Sequence, residues 1–160
     1  MSSGVTTMIK ILYNNSYGVG FSVSDAFVAE YNARTKTSLD SAKALFFKGP
    51  DSIRCDPIAI TIIEEKGSEW CSGEGSSLAV HEVHSVMARY WEIEETDGDE
   101  YVRIMTAEAL SDILHTFMQT NDRTTLDKQY AAIMEAVGLK PTEINSNNDN
   151  HSYFNVEFNP

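Results

Sequence analysis

Apolar positions change period along the chain, and the changes mark out elements. Met8 to Asn14 (MIKILYN) is dense in aliphatic side chains and reads as a buried strand. A glycine-punctuated turn, SYGVGFSVS, follows. Ser24 is placed to cap a helix from Asp25 to about Arg34, with Phe27, Val28 and Tyr31 at helical spacing. Asp56-Pro57 is a helix-start pair, because proline's missing N–H has no helical partner at the first position. The run after it, IAITIIEE, is β-branched enough to pass for a strand, but the cap favours a helix that Gly67 ends or bends. Thr35 to Ser52 is less defined; Ala42 to Phe47 would add a short helix or strand, stopped by Gly49-Pro50.

Period two then takes over. Leu78 to Val83 and Arg89 to Glu95 read as strands. Asp97-Gly98 matches a two-residue hairpin turn, with Glu100 to Met105 as returning strand and Val102 and Ile104 on one face. Beyond Met105 the helical period returns. Leu110, Ile113, Leu114, Phe117 and Met118 form one stripe, with Thr106 as the expected cap. Leu126, Tyr130, Ile133 and Val137 form another, closed by Gly138. NSNNDN (145–150) reads as a polar link and SYFNVEF (152–158) as an edge strand. The expected class is therefore α+β: an antiparallel sheet with an Asp-Gly hairpin, packed against about four helices. Residues 1–105 would form the core, after a disordered lead-in over residues 1–7. Residues 106–160 would be a C-terminal helical extension with a terminal strand, within the same domain.

Charge narrows the partners. The formal net charge is −12, and acids outnumber bases on both sides of Met105. Such a surface repels phosphate, so direct nucleic-acid binding is not expected; a basic protein partner, or solubility alone, fits better. No apolar run approaches the length of a membrane span, and MSSGVTTMIK lacks the pattern of a secretory signal. Cys55 and Cys71 lack CxxC spacing and suit a reducing compartment.

The familiar chemical motifs fail one by one. Gly18 and Gly20 precede a helix, but neither the Lys-Ser/Thr of a phosphate loop nor GxGxxG is there. Six acids fall between Glu92 and Glu100, yet with Gly98 as the glycine of a calcium loop its first and last ligand positions would be Ile93 and Ile104. His81 and His84 stand three apart in a strand, which sends their rings to opposite faces rather than to one metal. No GxSxG elbow occurs. No catalytic residue, metal or cofactor is expected on these grounds.

Three ordered segments, KILYN…YG-G-SVS, R-DP…EEKG and WEIEE-DG-E-V, together resemble a small protein family spread through large DNA viruses and phages. Its members read KIVYN, a Cys-Tyr-Gly-Gly-Phe turn, a Leu-Ser helix start, an Arg-x-Asp-Pro helix ending Glu-Glu-Leu-Gly, and a Trp-Glu-Ile-Glu-Glu hairpin. The resemblance covers about Ile9 to Val102. It makes Tyr13, Asn14, Tyr17, Gly18, Asp56, Pro57, Glu64, Glu65, Trp91, Glu92, Glu94, Glu95, Asp97 and Gly98 the candidate positions. Ser16 stands in place of the family's cysteine, Val19 displaces its second glycine, and Arg103-Ile104-Met105-Thr106 replaces its His-Arg-Thr-Trp ending. The resemblance implies a viral protein of the marseillevirus or mimivirus kind, acting in host cytoplasm, viral factory or virion. It brings no reaction with it. The first expectation is a non-enzymatic interaction protein, as a homodimer. The alternatives are an acidic nucleic-acid mimic that occupies a basic DNA-binding partner, and a small hydrolase using acids near Gly18 and Trp91, Glu92 and Glu94 among them.

Overall fold

The computed structural model describes residues 7–40 and 48–140. The expectations for residues 1–6, 42–47, 145–150 and 152–158 lie outside them. Among the described residues, four strands and five α-helices are arranged as an α+β fold. In chain order they are β1 (Met8–Asn14), α1 (Asp25–Thr35), α2 (Pro57–Lys66), α3 (Ser68–Cys71), β2 (Leu78–His84), β3 (Trp91–Thr96), β4 (Asp99–Ile104), α4 (Thr106–Thr120) and α5 (Arg123–Ala136).

The strands form two antiparallel pairs rather than one sheet. β1 pairs with β2 from Met8↔His84 to Asn14↔Leu78. β3 pairs with β4 from Trp91↔Ile104 to Thr96↔Asp99. Between these last two, Asp97 (φ 51°) and Gly98 (φ 84°) both take left-handed backbone. The third strand starts at Trp91 rather than Arg89, because a 3-10 turn at Ser85–Met87 occupies the approach to it.

The β1–β2 sheet separates two cores. Successive side chains of a strand point to opposite faces. Leu12 packs with Phe21, Phe27, Tyr31, Ile62 and Leu78, the core under α1 and α2. Ile11, one residue earlier, packs with Met87, Trp91, Ile93, Ile113 and Ile133, the core under the β3–β4 pair, α4 and α5. Both residues are fully buried, which explains why β1 reads as continuously apolar rather than alternating. The helices after Met105 thus share a core with β1 and β3.

Caps set the helix ends. Ser24 Oγ accepts from the Phe27 N–H at 3.0 Å and donates to the Trp70 carbonyl at 2.8 Å, so the cap of α1 also ties it to α3. Asp56 Oδ1 accepts from the Ile58 N–H at 2.8 Å, and this cap makes a helix of the β-branched run. α4 departs from expectation. Thr106 is its first residue, Met105 holds the cap position, and no side chain caps it. Its stripe is also rotated: Ala109 and Ile113 are buried, whereas Leu114 and Met118 are 40% and 82% exposed.

Candidate functional site

One side chain, Asn14 at the end of β1, gathers three loops. Its Nδ2 donates to the Gly98 carbonyl at 2.7 Å and the Ser16 carbonyl at 2.8 Å. Its Oδ1 accepts from the Ser77 N–H at 2.8 Å, Ser16 Oγ at 2.9 Å and Ser76 Oγ at 3.0 Å. Asn14 is fully buried, and its amide can satisfy itself there only because all three loops converge on it. The loops are Asn15–Gly20, Gly73–Ser77 and the Asp97-Gly98 turn.

The contact between two of these loops is tight. The Gly18 N–H donates to the Asp97 carbonyl at 2.7 Å. A Cβ at Gly98 would lie 2.7 Å from the backbone N, C and O of Gly18, so no side chain fits there whatever its φ. Below the loops lies a buried ion pair. Arg54 and Glu100 are 0% and 1% exposed, and the guanidinium meets the carboxylate with two hydrogen bonds, at 2.6 and 2.9 Å. Glu100 Oε2 also accepts the Asn14 backbone N–H at 2.9 Å, and the guanidinium carbon sits 3.9 Å from the centre of the Phe21 ring.

What this frame presents outward is apolar and acidic. Tyr17 is 75% exposed and Val19 68% exposed. Glu74 and Asp97 are exposed beside them and form no ion pair among the described residues, whereas Glu95 pairs with Lys48 at 2.7 Å. The hydroxyls of Ser16 and Ser76 donate to an amide oxygen, which cannot act as a base, so neither serine is activated as a nucleophile. The arrangement sets exposed apolar and acidic side chains on loops tied together by hydrogen bonds.

The structure brings Asn14, Tyr17, Gly18, Glu95, Asp97 and Gly98 together at this tip and disperses the other candidates. Trp91 is buried in the second core, its Nε1 donating to the Ala88 carbonyl at 3.0 Å. Tyr13 is half-buried, edge-on to His81. Glu92 and Glu94 bond Arg103 and Tyr101 on the outer face of the β3–β4 pair. Glu64 pairs with Lys10. Glu65 bonds Arg34 at 2.6 Å, and that hydrogen bond holds its carboxyl below the ordinary range. Asp56 caps α2 behind exposed Pro57 and accepts from Tyr31 Oη at 2.8 Å; burial first, and this bond second, push the phenol up to about 12.

His81 and His84 line an open cleft of about 310 Å³ with Glu82, Met87 and Glu135. His84 Nδ1 is already engaged by the Val86 N–H at 3.1 Å. Among the described residues, no group of three or more His, Cys, Asp or Glu side chains is placed to hold a metal ion. Burial pushes the Cys71 thiol up to about 11 and raises Cys55 as well, so neither is a ready thiolate. No helix among the described residues is long and apolar enough to cross a membrane.

Sequence reasoning missed Ser16, Ser76, Val19, Glu74, Arg54 and Glu100 as parts of this assembly. Arg54 was visible two residues before the Asp56 cap, but nothing local ties it to an acid 46 positions away. The chain matches no protein-family model, no curated protein sequence and no solved structure.

Proposed function

We propose that this chain is a non-enzymatic protein-interaction protein that presents the three-loop tip to a basic partner, as a component of a virion or viral factory. One observation carries the reading: an aromatic and a β-branched side chain stand in solvent on loops that a fully satisfied buried amide holds rigid. Rigid loops lose little entropy on binding, and tyrosine contributes a large amphipathic contact with few rotatable bonds. Glu74 and Asp97 supply the charge that selects a basic partner and speeds encounter with it. The viral setting rests on the resemblance of the three ordered segments. The hydrolase alternative draws less support, since Glu92 and Glu94 are bonded to Arg103 and Tyr101.

The test is a photo-crosslinking residue at position 17 in the tagged protein, used in infected-cell lysate with and without nuclease. A defined protein adduct that survives nuclease, and that Val19→Ser and Glu74→Lys diminish, is the expected result. Adducts unchanged by both substitutions would refute the tip as the contact surface. A basic partner that DNA displaces would move the reading to the nucleic-acid mimic.

A further inference from the structure

β2 keeps one open edge. The Asn15 N–H donates to the Ser77 carbonyl and the Ser85 N–H to the Thr7 carbonyl, both at 2.8 Å, so odd-numbered residues along β2 turn their backbone groups toward β1. In an antiparallel pair the residues between them turn theirs the other way. These are Leu78, Val80, Glu82 and His84. Leu78 is satisfied there: its N–H donates to Ser72 Oγ at 2.9 Å, and its carbonyl accepts from Ser68 Oγ at 2.5 Å. The outward N–H and C=O groups of Val80, Glu82 and His84 have no hydrogen-bond partner among the described residues. The outer edge of β1 differs, since Arg54 and Glu100 reach its Leu12 carbonyl and Asn14 N–H. Three free donor–acceptor sets in a row are a template for one more strand.

We propose that the chain's own C-terminal stretch SYFNVEF (152–158) adds to this edge as a strand antiparallel to β2. The place where the described chain ends supports this occupant. Glu135 and Ala136, in the last turn of α5, line one open cleft with Val83, His84, Met87 and Ile104, at the His84 end of the edge. The described chain stops four residues after α5, and residues 141–151 join it to Ser152. At ~3.4 Å per residue that connection spans up to about 40 Å, more than the length of β2. A strand that starts beside His84 and runs toward Leu78 is antiparallel to β2.

Pattern and charge select the register. Tyr153, Asn155 and Glu157 opposite His84, Glu82 and Val80 use all three free positions. Phe154, Val156 and Phe158 then lie opposite Val83, His81 and Ala79, on the face where Val83 packs in the second core with Met87 and Ile104. Sliding the segment two residues one way sets Glu157 opposite Glu82, and like charges directly opposite destabilise a pair. Sliding it two the other way sets Glu157 at Leu78, whose edge groups are taken. A slide of one residue turns the phenylalanines off the cleft. A second copy is the poorer occupant, because β2 paired with itself about its open positions sets Glu82 against Glu82.

Amide hydrogen exchange of the full chain, followed by NMR, tests the added strand. The Val80, Glu82 and His84 amides exchange at least about tenfold more slowly than in the full-length variant Asn155→Pro, which removes the central donor of the segment. The Ala79, His81 and Val83 amides, turned toward β1, are protected in both and show that the fold is intact. Oxidative crosslinking with peptide mapping tests the register. His81→Cys/Val156→Cys yields a disulfide within one chain, because residues of a non-hydrogen-bonded pair stand about 4.5 Å apart at Cα. Glu82→Cys/Val156→Cys does not, since those two side chains point to opposite faces. Fast exchange at Val80, Glu82 and His84 in the full chain would overturn the proposal. So would protection that survives Asn155→Pro, equal crosslinking by the two cysteine pairs, or a disulfide only between chains, which would place the segment on a second copy.

Discussion

Replacing Glu100 with glutamine removes one charge from the pair beneath the tip and changes little else in shape. Arg54 stays where it is, fully buried against Phe21, and its positive charge loses the carboxylate that balanced it. Breaking a buried, hydrogen-bonded ion pair in this way costs about 3–5 kcal/mol. The glutamine oxygen can still accept the Asn14 N–H, so the cost of an orphaned backbone donor is not added. Urea unfolding followed by tryptophan fluorescence reads the change, since Trp91 is 1% exposed and reports opening of the second core. The midpoint should fall with the slope unchanged. The double variant Arg54→Met/Glu100→Gln should recover at least half of the loss, because it removes the stranded charge and methionine packs well on the Phe21 ring. A loss below about 1 kcal/mol for Glu100→Gln is the magnitude of a solvent-exposed pair, and would refute the argument from burial.

Four further outcomes are expected. Gly98→Ala should destabilise by more than the ~1–2 kcal/mol of left-handed strain alone, because the new methyl meets Gly18 backbone at 2.7 Å; a smaller loss in the same urea assay would show that the two turns can separate freely. The Tyr31 phenol, raised to about 12 in the folded chain, holds its proton where the unfolded chain has lost it, so its contribution to stability is complete below pH ~10 and fades as pH rises toward about 12. Asp56→Ala should lower that pKa only in part, since burial is its leading cause, and should cost about 1 kcal/mol through the lost cap; ultraviolet titration showing an ordinary phenol would contradict the burial argument. Cys71, fully buried with its thiol pushed up to about 11, should react with a thiol reagent at neutral pH only after unfolding, and fast reaction in the native state would place it at the surface.

Local signals carried far into this fold where the deciding physics was itself local. The bounds of β1 follow from an aliphatic run ended by asparagine, and α2 follows from Asp56 and Pro57 despite its β-branched composition. A Thr106 cap sets the start of α4 one residue late, because that terminus has no side-chain cap to read. Its stripe is plain in the spacing, but periodicity alone does not say which edge of a wide apolar face turns inward; Ile93, Trp91 and Ile133 decide that from other elements. The tip was half legible. The resemblance names Asn14, Tyr17, Gly18, Asp97 and Gly98, yet their joint purpose depends on Ser76, Ser77 and Glu100, which become partners only through pairing across 62 to 86 positions.

A strand with apolar side chains on both faces poses an alignment problem. Sliding β1 by one residue would exchange Ile11 for Leu12 between the two cores, and such isomeric swaps usually cost less than about 1.5 kcal/mol. Hydrophobic patterning, which normally forbids a slip by turning greasy side chains toward water, has little to say at those two positions. Asn14 does. Displaced by one step, it would forfeit its three side-chain hydrogen bonds to Ser76, Ser77 and Gly98 at once, each worth about 1 kcal/mol. The asparagine is thus the index mark of the strand, the polar notch by which an otherwise ambiguous ribbon finds its one correct alignment.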